Sequence, residues 1–423
     1  MRRAAALWLV LLAAYATALG LPAAAGEDLA APEARNLLVT QSIVRDGDLD
    51  LTDDFGERAW RDDFGGELAP IGGPRERRLV EPQGIGFPLL CAPAYALAGR
   101  VGVELFLAAL TALAFVLAAA LGRRLVPEPW ATAGALAVGL SPPAVAAATT
   151  IAPEGAGAVL LAGAAVLALR IRDEPRLPEA FWCAALLAFA PWLAVKLAAP
   201  AVVIAVALAR WLRRRARGLA GFVALEVVVF AAVLFVSVNG RLYGGLTPYA
   251  VVPDPGPTGA SSLADHLERW PRLAGIWLDR DVGLVRWAPV LLLAAGALVL
   301  LARSRRERLV QIVPEQVHVE VVAGFLAIVA GVVVLVAVFA APTIAGPWPP
   351  GHELVPAFPM AAALAAWTLR RLPRTGRVLA LLTVVATVWT LAGVRLGDGA
   401  GIAPPRGPLP WGGAEDVLPR LRY

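Results

Sequence analysis

Apolar residues in this 423-residue chain gather into long unbroken runs, separated by short connections rich in arginine or in glycine and proline. Runs long enough to cross about 30 Å of hydrocarbon fall at 4–21, 100–122, 129–150, 154–171, 179–195, 196–212, 219–238, 283–302, 320–341, 353–369 and 377–395. The pattern predicts an all-α fold, a polytopic membrane protein of about eleven transmembrane helices. Only the stretch from 177 to 211 is ambiguous, because a single straight helix there would be about 50 Å long at ~1.5 Å per residue. Basic residues resolve it. Arg170, Arg172 and Arg176 precede the stretch, and Arg210, Arg213, Arg214, Arg215 and Arg217 follow it. Keeping both clusters on one face requires a hairpin turning near PWLAVK.

With that hairpin, every arginine-rich connection reaches the same face: Arg2 and Arg3, GRR at 122–124, RIRDEPR, RWLRRRAR, RSRRER and RRLPRTGR. The positive-inside tendency then puts the N-terminus in the cytoplasm and the C-terminus outside. The first run, with its basic start and small-residue exit, also reads as a signal peptide. It is taken here as a first span or uncleaved signal anchor, residues 1–25 of one membrane domain covering 1–423. Residues 26–85 lie outside on either reading and form a long extracytoplasmic first loop, too long for a simple connection. Within it, apolar residues at 37, 38, 43 and 44 predict a short amphipathic helix on the membrane surface. Residues 86–99, apolar but interrupted by prolines, are expected to dip into the membrane without crossing. They open a bundle over 86–395, and 396–423 is an outward tail.

Composition sharpens the class. Hydrophobic residues make up 58% and charged residues 17%, with a mean hydropathy of +0.67, more apolar surface than a soluble domain buries. The net charge of +5 and a pI near 9.7 do not imply nucleic acid, because the basic residues are dispersed loop ends that topology alone explains. Acidic residues divide the other way, concentrating in 26–85. Since Asp and Glu contribute little to orientation, that excess asks for another cause. Cys91 and Cys183 sit in apolar runs and offer neither a disulfide framework nor a metal-ligand spacing.

The order of landmarks resembles a known family. NLLVTQSIVRDGDLDL, GIGFPLLCAPAYALAGR, SPPAVAAATTIAPEGAG, PWLAVK, WLDRDVGLVRWAPVLLL and GPWPPGHELVPAFP follow one another from about residue 30 to 370. Together they look like the GT-C superfamily of membrane glycosyltransferases, in particular the group of protein O-mannosyltransferases and aminoarabinose transferases. The resemblance implies a polyprenyl-phosphate-linked sugar donor, membrane lipid as a partner and residence in a bacterial plasma membrane. It also implies a donor or acceptor pocket that includes Gln83, Asp279, Asp281, His352 and Glu353. Three departures stand out: Pro32 occupies the place of an expected Asp before Glu33, Gln83 that of a frequent His, and His352-Glu353 that of a basic-aromatic pair.

The chemistry such a site must perform selects the residue types. Transfer of a sugar from a lipid phosphate to a hydroxyl needs a carboxylate for the acceptor proton and cations for the phosphate. Glu33 is the leading base, against the plainer reading of a solvated acidic loop. Glu154 in IAPEGAG begins an apolar span, where a carboxylate is costly to desolvate and commonly functional, or complements the helix dipole. Lys196, the chain's sole lysine, stands at the outward hairpin tip, either snorkelling to headgroups or meeting the donor phosphate, with Arg280 and Arg286 as secondary phosphate ligands. Asp48 and Asp50 are either solvated or hold a divalent cation. Glu104 and Glu226 lie within apolar runs, which keeps a transporter reading in view. Glycosyl transfer on the extracytoplasmic face therefore stands first, a catalytically degenerate relative that binds lipid or a partner protein second, and a transporter third.

The topology is testable. Single cysteines placed within 26–85, at 196 or within 239–282, with Cys91 and Cys183 replaced, are expected to react with an impermeant thiol reagent on intact cells. Labelling at 214 instead would overturn the orientation.

Overall fold

The computed structural model describes residues 2–22, 28–75, 78–214, 218–252, 262–308, 314–344, 348–396, 401 and 417–421. Thirteen helices of eight or more residues make up the described framework. They are α1 (Arg2–Ala16), α2 (Ala31–Arg45), α3 (Gly86–Gly122), α4 (Trp130–Gly139), α5 (Pro142–Thr149), α6 (Pro153–Asp173), α7 (Leu177–Leu193), α8 (Ala198–Arg214), α9 (Gly218–Leu242), α10 (Leu292–Arg308), α11 (Pro314–Phe339), α12 (Phe358–Arg371) and α13 (Pro373–Leu396). Among the described residues the only sheet is a two-residue hairpin, β1 (Pro74–Arg75) with β2 (Arg78–Leu79), antiparallel with Pro74 opposite Leu79. The protein is an integral membrane protein. Six described helices are long and apolar enough to cross a membrane, or seven if α4 and α5 form one broken span.

Fewer helices reach span length than the eleven apolar runs suggest, because several runs fold as broken pieces. The run at 129–150 divides into α4 and α5, bent by 66°, where Ser141 turns extended ahead of Pro142 and Pro143. Proline at a helix start has its ring preset for the first turn and lacks an N–H that the previous helix would need. The stretch from 177 to 211 breaks at Ala194 (φ −162°, ψ 134°) and turns through a 3₁₀ segment, Val195–Leu197. The arms α7 and α8 pack on each other and both on α6, as the hairpin expectation requires. Residues 86–99, expected to dip into the membrane, form the first arm of α3, which is interrupted at Ala98 and Gly99 before its second arm.

The most enclosed span is α6, 72% buried over its apolar window, packed among α3, α7 and α8. Around it the bundle is built largely on alanine and glycine, which lets helix axes approach closely. Gly134 of α4 shows how closely, since a Cβ there would lie 2.6 Å from the Ala366 side chain and 2.8 Å from the Ala362 carbonyl oxygen of α12. Helix α1 belongs to the same packing. Tyr15, fully buried, donates its hydroxyl to the Gly139 carbonyl at 2.9 Å, and Trp8 donates to the Ala109 carbonyl at 3.0 Å.

The surface-helix expectation is half met. Helix α2 forms over the expected residues, but it is buried on nearly every side, polar Asn36, Thr40, Gln41 and Ser42 included. It packs on α3, and the loop beyond it folds back so that Leu51, Trp60, Phe64 and Leu68 join Leu37 and Leu38 in one apolar cluster. Helix α2 is thus enclosed between α3 and its own loop rather than lying open on a membrane surface.

Gly134→Ala is expected to lower the melting temperature in detergent. Overpacking against a backbone carbonyl costs about 1–3 kcal/mol, and an unchanged transition would mean that α4 and α12 separate freely.

Candidate active site

Three segments far apart in sequence deliver charge to one point. Pro153 opens α6 after the extended Ala152, which sets Glu154 in the first turn. The 3₁₀ turn at the tip of the α7–α8 hairpin carries Lys196. A second 3₁₀ turn, His352–Ala357, follows the left-handed Gly351 and leads into α12. Gly157 permits the meeting, since a Cβ there would lie 2.8 Å from a Leu197 methyl. Without a side chain at 157, the lysine turn lies directly against α6.

At the centre, the Lys196 ammonium donates to Oε1 of Glu154 and, at 2.6 Å, to Oε2 of Glu353. His352 completes the group, with Nε2 2.9 Å from the other Glu154 oxygen. Glu154 and His352 are each 3% exposed, while the side chains of Lys196 and Glu353 are 27% and 17% exposed. The imidazole stacks flat on Trp348, centroids 4.3 Å apart, and its Nδ1 is buried with no partner among the described residues. Two carboxylates thus face the one lysine, with the imidazole beside them.

A cavity of about 190 Å³ opens beside this cluster. Lys196, Glu154, Glu353 and Gln83 line it, and its walls carry the large aromatics Trp192, Tyr243, Tyr249 and Trp348. The Trp192 ring is held edge-on against Phe235 of α9, centroids 5.2 Å apart. Burial pushes the Tyr249 hydroxyl above its ordinary range, with the nearby Lys196 opposing and Glu353 and Glu154 adding to it. Gln83 keeps its side-chain oxygen buried without a partner among the described residues. Aromatic faces beside a few converging polar groups are the usual make-up of a small-molecule site.

Glu33 lies near this cavity without lining it, whereas its neighbours Pro32 and Asn36 do line it. It is 4% exposed, and both carboxylate oxygens accept backbone N–H groups, Ile151 at 2.8 Å and Ala30 at 2.9 Å. Burial raises its carboxyl above the ordinary range, while those two N–H groups, His352 and Arg100 pull it back. Asn36 donates to the Ile151 carbonyl at 3.0 Å, so both side chains clamp α2 onto the turn before Glu154.

The other expected site residues lie elsewhere. Asp279 accepts N–H bonds from Asp281 and Val282 at 2.8 and 3.0 Å and from Leu421 at 2.9 Å. Asp281 faces Arg420 at 3.7 Å, and the Arg280 N–H donates to the Pro419 carbonyl at 2.9 Å. Arg286 donates to the Arg280 carbonyl at 2.6 Å and lies 4.7 Å from the Trp287 ring centroid. Asp279, Arg280 and Asp281 hold residues 417–421 and Arg286 braces the Arg280 backbone, and none of the four lines the cavity.

Asp48 and Asp50 organise a turn. Asp50 accepts from the Thr52 hydroxyl at 2.6 Å and from the Leu79 N–H at 3.0 Å, and Asp48 accepts from the Asp50 N–H at 3.0 Å. Among the described residues no group of three or more His, Cys, Asp or Glu is arranged to hold a metal. Glu104 pairs with Arg100 at 2.7 Å, and Glu226 is exposed on α9. Sequence reasoning missed Tyr243, Tyr249 and Trp348 of the wall and the stacking of Trp348 on His352. A signal was present, since each aromatic stands within a few residues of a proline or of a polar position already singled out.

Solved structures share this architecture. ArnT from Cupriavidus metallidurans in the apo state matches over 93% of this chain and 72% of its own, with a TM-score of 0.54 and 18% identity. The same protein bound to undecaprenyl phosphate matches over 92% and 71%, with a TM-score of 0.53 and 18% identity. The chain thus shares the fold of ArnT over most of its length. No protein-family model and no curated protein matches the sequence.

Glu33→Gln is expected to destabilise the protein by roughly 1–3 kcal/mol, the cost of leaving a buried N–H unsatisfied. An amide presents one acceptor oxygen where two N–H groups need one each. Thermal melting in detergent measures the loss, and an unchanged transition would show that the clamp carries no weight.

Proposed function

We propose that the protein transfers a glycosyl unit from a polyprenyl-phosphate-linked sugar to an acceptor on the extracytoplasmic face, at the cavity beside Lys196. One observation carries this reading: the chain's sole lysine is held between two carboxylates at the wall of an aromatic-lined cavity. The shared fold adds support, since ArnT in one of its structures is bound to undecaprenyl phosphate. Trp192, Tyr243, Tyr249 and Trp348 offer flat faces to a sugar ring or to isoprene units.

The arrangement suggests a division of labour between the carboxylates. Glu154, buried and shared with His352, is the fixed counter-ion of Lys196. Glu353, the more exposed of the two, is the one a donor phosphate displaces from the ammonium. Once released, Glu353 accepts the proton of the acceptor hydroxyl as its oxygen attacks the anomeric carbon. The bond from that carbon to the phosphate oxygen breaks, and its electron pair leaves on the phosphate beside Lys196. Glu33 then has a positioning role, fixing the Ile151 turn that precedes Glu154.

A second reading keeps the same cavity as a binding site without transfer. It is favoured by the resting pairing of Lys196, whose charge is already matched by two carboxylates, and by Pro32 at the cavity wall in place of an acid.

Glu353→Gln separates the two. Under the transfer reading, the rate falls by roughly two to four orders of magnitude, the usual contribution of a positioned base, while donor lipid binds at least as tightly because Lys196 is released. Lys196→Gln is expected to weaken donor binding by about ten- to a hundredfold, corresponding to the roughly 1.5–3 kcal/mol of a charge-assisted hydrogen bond, with partial recovery in Lys196→Arg. Mass spectrometry of cell-envelope glycans with and without the protein supplies the activity readout. Unchanged glycans with intact lipid binding would establish the second reading.

A further inference from the structure

The spans differ greatly in how much of them the bundle covers. Over its apolar window α9 is only 11% buried and α13 22%, against 72% for α6. The outward face of α13 suits lipid, with exposed Val378, Leu381, Val385 and Val388 and no acidic residue along the helix. That of α9 does not. Phe222, Glu226, Val229, Val233, Val236 and Gly240 are all exposed, and their alternating spacing of four and three residues is that of a coiled-coil seam. Glu226 makes no hydrogen bond or ion pair among the described residues, and it lies about 12 Å along the helix from Gly218 at ~1.5 Å per residue.

Carboxylates inside membrane spans ordinarily face the bundle interior or a partner. The inner face of α9, marked by Ala220, Ala224 and Asn239, packs on α7 and α8, so Glu226 points the other way. From this we infer that the outer face of α9 is a docking seam for a transmembrane helix of another protein, one that presents a basic side chain at the depth of Glu226. Charge complementarity selects that occupant over a second copy of this chain, because a parallel pairing along the seam would set Glu226 against Glu226. Seam and cavity share a helix, since Phe235, Val238 and Asn239 of α9 line the cavity. A helix seated on the seam would brace that wall from outside. The inference rests on the position of α9 and not on the transfer chemistry.

The test uses the full chain, fluorescently labelled, in phosphatidylcholine vesicles with an acceptor-labelled synthetic helix of leucine and alanine. One peptide carries a single arginine about 12 Å from one end, and its twin carries leucine there. Energy transfer is expected to show at least tenfold tighter association with the arginine peptide. Glu226→Gln should abolish that preference, Val233→Trp should weaken it, and Val385→Trp on α13 should leave it intact. Equal association of the twins, or a preference that survives Glu226→Gln, would overturn the inference. So would energy transfer between copies of the protein that Glu226→Gln removes, since that assigns the seam to self-association. Glycosyl transfer is not part of the readout, so failure here and failure of the proposed function are told apart.

Discussion

The bridge from Lys196 to Glu154 and Glu353 is the contact on which the site depends, because it ties three segments that share no local sequence. Buried ion clusters are poor stabilisers. Desolvating the charges costs about as much as their attraction returns, and apolar replacements are often as stable. Removing one member is different, since it strands the others in a medium that does not solvate them. The cluster therefore makes a specific geometry obligatory more than it makes the fold stable. Under the proposed transfer, the lysine at the cavity rim exchanges one of these carboxylates for the donor phosphate.

Helix α6 supplies the axis for that geometry. Its small residues let the α7–α8 hairpin settle against it, and its first turn sets Glu154 at the level of the hairpin tip. The clamp formed by Glu33 and Asn36 on Ile151 fixes the same turn from the opposite side. The long acidic loop thus has a structural task. It delivers α2 as a buried strut whose polar side chains reach backbone groups of the bundle, and its aromatics cover the strut from water. The concentration of acid in this loop is explained in part by turn-making, as at Asp48 and Asp50, and in part by this clamp.

Much of the plan was legible in the chain. Long apolar runs require helices, because backbone polar groups in hydrocarbon have no solvent to bond. Arginine placement forced the hairpin at PWLAVK, Glu154 and Lys196 stood out as polar residues set at the edges of apolar runs, and His352 and Glu353 entered through the family resemblance. What could not be read was which apolar runs would break short of span length, since that depends on neighbours that accept a bent helix.

The sequence by itself determined the class of fold, the sidedness it favours and the residue types available for chemistry, because composition and periodicity act locally and need no partner. The tertiary structure alone decided which of those residues meet. Arg280, Asp279 and Asp281 had the same credentials as Lys196 and Glu353, yet they are drawn to residues 417–421, and Arg286 is drawn to the Arg280 carbonyl. Glu33 had the best credentials for a base, and its oxygens were taken by two N–H groups more than a hundred residues apart. Long-range contacts of this kind follow from how helices pack, and a buried carboxylate goes to whichever donors that packing brings within reach.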